Sequence, residues 1–232
     1  MQFQAKVHLG LPFKLNVAGM PERERYLRDD WFWMKEPETI AWIDSFEQNT
    51  IFWDVGANIG CYSLYAASLG RVAKTYAFEP FFPNFKALQD NIDANGWQKI
   101  IKSEQIALSN ECGMANFASK SHEIGSSGGQ IGDTKQFLPQ NAYPVEVTTG
   151  DAYALLYGCP NYVKIDVDGQ EDRVIAGLQR ILADKALKSL LMEYNSPNEG
   201  ANNYILSRGF VRDAELERLK LRYKDFNRIY RR

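Results

Sequence analysis

Ile51 to Gly60, Ile-Phe-Trp-Asp-Val-Gly-Ala-Asn-Ile-Gly, constrains the fold of this chain more than any other stretch. It opens as an apolar run long enough for one buried strand and closes in a turn that holds Gly56 and Gly60. Cys61 to Leu69 then reads as a helix, with Leu64, Ala67 and Ser68 along a small, apolar face. Strand, glycine turn and helix in this order can cradle a nucleotide-like ligand. The glycines reach backbone angles closed to other residues and let a ligand approach the main chain, and the free N–H groups of the helix start lie beside it. The plainer reading is that the two glycines only close a tight turn. The residues beyond Gly60 favour the ligand.

Glu79 stands in Thr75-Tyr-Ala-Phe-Glu-Pro80, which reads as the end of a second strand. An acid roughly 20 residues beyond the glycine turn, at the carboxyl end of the next strand, is placed to accept hydrogen bonds from both hydroxyls of a ribose. The dinucleotide pattern G-x-G-x-x-G is not met, because Asn58 stands where a middle glycine would be. Asn tolerates the left-handed region, so the turn survives the change while the pyrophosphate reading weakens. Asp54, an acid near the end of the first strand, would repel a pyrophosphate but suits a cationic amino group. A ligand with a ribose at one end and an ammonium at the other is S-adenosyl-L-methionine. The expected cofactor contacts are Asp54, Gly56, Asn58, Gly60 and Glu79, joined by Ala107 and Ser126 from later in the chain.

Three segments together resemble the FkbM-type methyltransferases: Asp54-Val-Gly-Ala-Asn-Ile-Gly60, Ala77-Phe-Glu-Pro80 with Asn84-Phe, and Val163-Lys-Ile-Asp-Val-Asp-Gly169 with Glu171. The resemblance covers about residues 37–211, and the order and spacing of the segments make it specific. The departure is Asp168, where that family more often has Glu; it bears on the substrate side. The resemblance implies the Rossmann-like fold of class I methyltransferases, and O-methylation of hydroxyls on sugars or polyketide-like small molecules.

The rest of the chain suits one α/β domain. A length of 232 residues leaves little for a second domain, and 45% hydrophobic with 24% charged residues is ordinary for a soluble globular protein. A formal net charge of −2 argues against nucleic acid as the main partner, since phosphate-binding surfaces are usually basic. Cys61, Cys112 and Cys159 have no metal-ligand spacing and cannot all pair, which suits reduced thiols in a cytoplasm. No apolar run approaches membrane-spanning length, and Met1 to His8 alternates like a strand rather than a signal peptide.

Residues 1–36 read as an amino-terminal extension packed on a domain of residues 37–232. Leu11 to Val17 could form a short strand there. Trp31, Phe32 and Trp33, beside charges, could wall a substrate pocket, stack on a sugar face, or simply pack the segment down. Glu36 to Phe46 reads as a helix, as do Asn84 to Asn95, Asp151 to Tyr157, Gln170 to Leu182 and Ala201 to Arg208. Ile100 to Leu108 reads as a third strand that would pass the adenine, with Gln105, Ala107 and Leu108 as ring contacts. Ala115 to Ala118 and Val145 to Thr148 read as short strands, Asn161 to Asp166 as a fourth core strand and Leu187 to Tyr194 as a fifth. Phe210 to Glu215 begins a sixth, and Phe226, Ile229 and Tyr230 suggest a seventh. The alternation predicts a doubly wound sheet of about seven mostly parallel strands with helices on both faces. The glycine-rich run Ser119 to Asp133 is long for a structureless loop and reads as a lid, with Ser126 and Ser127 as hydrogen bonders and His122 as a reserve base.

Asp54, Glu79, Asp166 and Glu193 all fall at strand ends on one rim, where a cationic ligand would explain acids that otherwise repel. Methyl transfer is mostly positioning, helped by a base within reach of the acceptor hydroxyl. The expected catalytic residues are Asp166, Glu193 and, in reserve, His122; Asp168 and Glu171 are expected to cap the next helix. Asp166, Glu193 and Asn195 could together hold a magnesium ion. Lys164 can neutralise Asp166 from the same side of the strand, so metal-independent transfer to a small-molecule or glycan acceptor is expected. Two other functions remain open, a nicotinamide-dependent oxidoreductase and a non-catalytic S-adenosylmethionine-binding protein; Asp54 and Asn58 count against the first. The sequence does not indicate an oligomeric state.

Overall fold

The apolar letters of residues 50–55, 72–78, 162–165 and 189–193, β-branched and aromatic in the first three and Leu-Leu-Met in the last, form strands because their side chains can be buried on both faces of a pleated sheet. The structure is a computed structural model that describes residues 3–4, 11–28, 31–132, 135, 137–138, 142–193, 199–219 and 227–232. Its elements in chain order begin with β1 (Phe3–Gln4), β2 (Leu15–Asn16), α1 (Glu22–Arg28), α2 (Phe32–Lys35) and α3 (Pro37–Asp44). They continue with β3 (Thr50–Val55), α4 (Cys61–Ser68), β4 (Val72–Phe78), α5 (Phe82–Asn95), β5 (Ile101–Glu104), β6 (Ile106–Leu108), β7 (Gly113–Ala118), β8 (Gln130–Ile131) and β9 (Ala142–Thr148). The last are α6 (Gly150–Tyr157), β10 (Tyr162–Ile165), α7 (Glu171–Ala176), β11 (Ser189–Glu193), α8 (Gly200–Ser207), β12 (Val211–Arg212), α9 (Ala214–Glu217) and β13 (Asn227–Arg231).

The main sheet has seven strands in the order β12-β13-β11-β10-β3-β4-β5. β11, β10, β3, β4 and β5 are mutually parallel, and β13 lies antiparallel between β11 and β12. One face buries Phe52, Tyr162 and Leu191 against Trp42, Phe46 and Ile43 from α3 and its end, Leu64 from α4 and Leu88 from α5. The other buries Trp53, Val55, Val163, Ile165 and Leu190 against Tyr153, Val174, Leu178 and Ile205. Leu11, Phe13, Leu15 and Val17 join the first face, and the side chains of Asn91 and Asn95 on α5 hold the main chain of Asn16 and Lys14. Among the described residues no helix is long and apolar enough to cross a membrane, and Cys61, Cys112 and Cys159 are free thiols.

Three expectations need correcting. Ile100 to Leu108 does not form one strand. Ile101 and Ile106 have opposite parity and would point to opposite faces of a continuous strand. The chain breaks at Gln105, β5 pairs with β4, and β6 leaves to pair with β9 in a second, four-stranded sheet of order β6-β9-β7-β8. The helix expected to run to Leu182 ends at Gly177, where a Cβ would lie 2.0 Å from the Ser109 carbonyl oxygen. Asp151 of α6 accepts from the N–H groups of Arg180 and Ile181 and starts the chain again there as a short 3-10 turn, Ile181–Ala183. The sixth strand shrinks to Val211–Arg212, because Asp213 caps the start of α9 by accepting from the Leu216 N–H. Ile229 and Tyr230 do lie on a buried strand, β13, while Phe226 is outside the described residues.

Candidate active site

The carboxyl ends of β3, β4, β10 and β11 open on a cavity of about 560 Å³. The chain runs outward from β3 through β4 to β5 and later returns to β10 on the other side of β3. A doubly wound sheet leaves a crevice at such a reversal.

The turn after β3 forms part of its floor. Gly56 has φ +82°, and a Cβ there would stand 1.8 Å from the Asp166 carbonyl oxygen. Gly60 has φ +90° and abuts Leu88 of α5, where a Cβ would lie 2.4 Å from Cδ1. Both glycines are therefore required by the protein's own packing; Gly56 lines the cavity and Gly60 does not. Asn58 takes φ +53°, as its type allows. Its N–H donates to Glu79 Oε2 at 2.7 Å, and the Phe81 N–H donates to Oε1 at 2.9 Å. Glu79 faces the cavity with each oxygen holding one main-chain donor and retaining acceptor capacity. Burial pushes its carboxyl up to about 7 despite those bonds.

At one end of the cavity Ala107 and Leu108 of β6 meet Phe81 and Phe117, whose rings stack at 5.8 Å and 29°. Gln105, expected beside them, is exposed and does not line the cavity. The sheet switch that separates β6 from β5 is what brings Ala107 there.

The other end is charged. Lys164 is 1% exposed, opposite Asp54 in register, with Nζ 2.7 Å from Asp166 Oδ2 and 4.9 Å from the centre of the Tyr62 ring. Burial opposes its charge, but Asp166, Asp54 and Glu36 raise its pKa well above the ordinary lysine value. Burial also works to raise the Asp166 carboxyl, yet Lys164 and Lys35 outweigh it and hold Asp166 down to about 2. Glu193 hydrogen-bonds Asp166, and burial together with that neighbouring charge pushes it up to about 9. The surroundings thus favour the ionised form at Asp166 and the protonated form at Glu193. Asp166 does not await an external cation, because Lys164 and Lys35 already offset its charge.

Asp54 does not line the cavity. It is 1% exposed beneath the turn, its Oδ2 accepts from the Ser63 hydroxyl at 2.7 Å, and its buried Oδ1 has no hydrogen-bond partner among the described residues. Burial raises its pKa. His122 is exposed and away from the cavity. Asn195 lies outside the described residues.

The glycine-rich run crosses the cavity with Ser126 and Ser127 in its wall, and four separate elements hold it. Arg28 of α1 donates to the Gly125 carbonyl at 2.6 Å, and Asn58 donates to the Ser126 carbonyl at 3.0 Å. Asn84 of α5 accepts from the Gly125 N–H at 2.7 Å and donates to the Ser126 carbonyl, and Asp168 accepts from the Gly128 N–H at 2.7 Å. Asp168 therefore tethers this run instead of capping α7, and Glu171 closes the loop before that helix by accepting from Val167 and Gly169. Trp31 and Phe32 line the cavity, whereas Trp33 packs into the core against Tyr65. Sequence reasoning passed over Arg28, Lys35 and Gln170, all of which line the cavity. The charge-rich helix α1 buries no residue and so carries no apolar period.

The chain matches the model of the Methyltransferase FkbM domain over residues 54–226. It is similar to the hexuronic acid methyltransferase AglP of Haloferax volcanii, at 27% identity over 142 residues that cover 60% of this chain and 54% of that protein. Among solved structures it is similar to methyltransferase FkbM from Methylobacillus flagellatus, with a TM-score of 0.58, 17% identity and coverage of 87% of this chain and 49% of that one. It is also similar to Streptococcus pneumoniae Sp1610 in complex with S-adenosyl-L-methionine, with a TM-score of 0.51, 15% identity and coverage of 84% and 72%. The chain thus spans about half the length of the curated relative and of the FkbM structure. The structural likenesses agree with a Rossmann-like class I methyltransferase fold. The family match covers well over half of the chain, and the chain belongs to the FkbM methyltransferase family.

Proposed function

We propose that this chain transfers a methyl group from S-adenosyl-L-methionine to a hydroxyl of a sugar or a related small molecule. The observation that carries the cofactor assignment is Glu79, a buried carboxylate whose two oxygens are fixed by main-chain N–H groups and face a 560 Å³ cavity. A carboxylate so held accepts from two neighbouring ribose hydroxyls, and the slot of Phe81, Phe117 and Ala107 is apolar and flat enough for a purine. Asp54 does not enter this assignment as a contact; it stands one layer below, beside Lys164.

Bound there, S-adenosyl-L-methionine supplies an electrophilic sulfonium methyl whose departure leaves a neutral thioether. The chain's own residues do the positioning. Asp166, ionised and fixed by Lys164, accepts a hydrogen bond from the acceptor hydroxyl and aims one oxygen lone pair along the methyl–sulfur axis. As the carbon–oxygen bond forms, the hydroxyl proton becomes strongly acidic and passes to Asp166, weak base though it is. Glu193, protonated, holds the other side of Asp166. A sugar acceptor is supported by the similarity to a hexuronic acid methyltransferase and by the two adjacent carboxyl groups at the acceptor end. No step in this reading requires a metal ion, so turnover is expected to survive chelation.

Titration calorimetry with S-adenosyl-L-methionine, S-adenosylhomocysteine and NAD, followed by labelled methyl transfer to a panel of sugars, alcohols, peptides and RNA, tests the reading. The expected result is binding of the first two ligands and an ether product on a sugar hydroxyl. Transfer only to nitrogen, or binding of NAD alone, would overturn it.

A further inference from the structure

With the purine slot at one end and Glu79 at mid-cavity assigned under the proposed function, the cavity beyond Asp166 has no assigned occupant. Its wall comes from α1 and α2, which precede residue 54 and so lie outside the family match. Lys35 at the end of α2 lines the same cavity as Asp166, so this wall and the reacting end belong to one cavity.

The aromatic residues of this segment divide into two groups. Phe32 and Trp33 belong to the apolar core, with Phe32 edge-on to Phe13 at 5.7 Å and Trp33 edge-on to Tyr65 at 5.4 Å. Tyr26 and Trp31 do not join the core clusters. Their rings lie nearly parallel, at 21° with centroids 6.2 Å apart, and both line the cavity. The Trp31 N–H donates to the Tyr26 carbonyl at 2.9 Å, which fixes the two residues to one another. The Trp31 carbonyl accepts from the N–H groups of Met34 and Lys35, which joins the pair to α2. Tyr26 is 46% exposed, at the cavity mouth.

An apolar wall made of two stacked rings, in the same cavity as the carboxyl groups of Asp166 and Glu193, fits a molecule with one apolar face and a polar rim. A pyranose has this shape: its axial C–H bonds form the face and its hydroxyls the rim. We infer that the stacked pair Tyr26 and Trp31 forms the acceptor subsite, laying an outward ring face against a pyranose ring and presenting one of its hydroxyls to Asp166. The inference rests on the proposed sugar acceptor and adds which residues select it. A peptide amide or an open-chain alcohol offers no such face.

The test uses the full chain loaded with S-adenosylhomocysteine. Saturation-transfer NMR with methyl glucoside, methyl mannoside and glucuronate reads which probe protons touch the protein, and steady-state kinetics are then measured with the pyranoside that is turned over. Transfer is expected to the axial ring protons of at least one pyranoside. Trp31→Ala and Tyr26→Ala are each expected to raise the acceptor KM about tenfold or more, with kcat and S-adenosylhomocysteine affinity within about twofold and Trp31→Phe restoring most of the loss. The exposed Tyr26 keeps the test open if Trp31→Ala fails to fold. A pyranoside turned over with KM unchanged in Tyr26→Ala and in any folded Trp31 variant would overturn the subsite and leave the proposed function standing. Turnover of a non-sugar acceptor, with no pyranoside bound, would overturn both.

Discussion

Replacing Lys164 by Met removes a cation that is 1% exposed while keeping most of the side-chain volume. Asp166, at 2.7 Å, then loses the charge that most holds it down, and Asp54 and Glu36 lose theirs as well. Asp166 stands at about 2 where 3.8 is ordinary, which alone corresponds to about 2 kcal/mol of stability at neutral pH. Adding the two other carboxylates brings the expected loss into the range of about 3–5 kcal/mol known for breaking a buried ion pair from one side. The pH dependence has a definite sign. A carboxyl held low contributes stability above its ordinary value and loses it as the pH falls towards the folded value, here from about 4 to about 2. Without Lys164 the same carboxyls rise and take up protons on folding, so the variant gains stability as the pH drops from about 7 to about 5. The gap to the parent protein should therefore narrow over that range. Urea unfolding followed by circular dichroism at both pH values, with unchanged slope m, measures it. A loss below about 1 kcal/mol that is the same at both pH values would refute the reading of Lys164 as the neutralising centre.

Glu79, pushed up to about 7 in the ligand-free cavity, contributes stability below its ordinary 4.5 and loses it as the pH rises through 7. Ribose hydroxyls favour the carboxylate, so the Kd for S-adenosyl-L-methionine should fall as the pH rises through about 7, with proton release seen in calorimetry. Glu79→Ala should weaken binding on the order of a hundredfold and abolish that dependence. Gly56→Ala and Gly169→Ala both place an alanine at positive φ, at a cost of about 1–2 kcal/mol. Only at Gly56 would the Cβ also meet the Asp166 carbonyl, so thermal unfolding should show a markedly larger loss for Gly56→Ala than for Gly169→Ala.

The parallel core and the rim of acids were legible because strand, glycine turn and helix leave a strong local pattern, and Glu79, Asp166 and Glu193 sit where apolar runs stop. The fate of Asp54 was not legible. β3 is apolar on both faces, so nothing in its letters tells which way the carboxylate points; the register with Lys164 decides it. The split between β5 and β6 was visible in the parity of Ile101 and Ile106, but a short apolar run reads as continuous. Asp168 looked like a cap from its position, and its bond to Gly128 spans 40 residues of sequence. The amino-terminal wall was half visible: the aromatic cluster stood out at residues 31–33, whereas the contribution of α1 depends on contacts such as Arg28 to Gly125 that no periodicity announces.

The pairing of Asp54 with Lys164 also bears on how the central strands choose their alignment. β3, β10 and β11 are nearly as apolar on one face as on the other, so burial alone would tolerate sliding one strand past its neighbour. A slip of one residue turns every side chain to the opposite face. It would drive the ammonium of Lys164 to the face that buries Trp53, Val55 and Leu190 and leave Asp54 without the cation opposite it. In a sheet whose strands could otherwise interchange alignments, one buried ammonium among acids makes a single alignment tolerable.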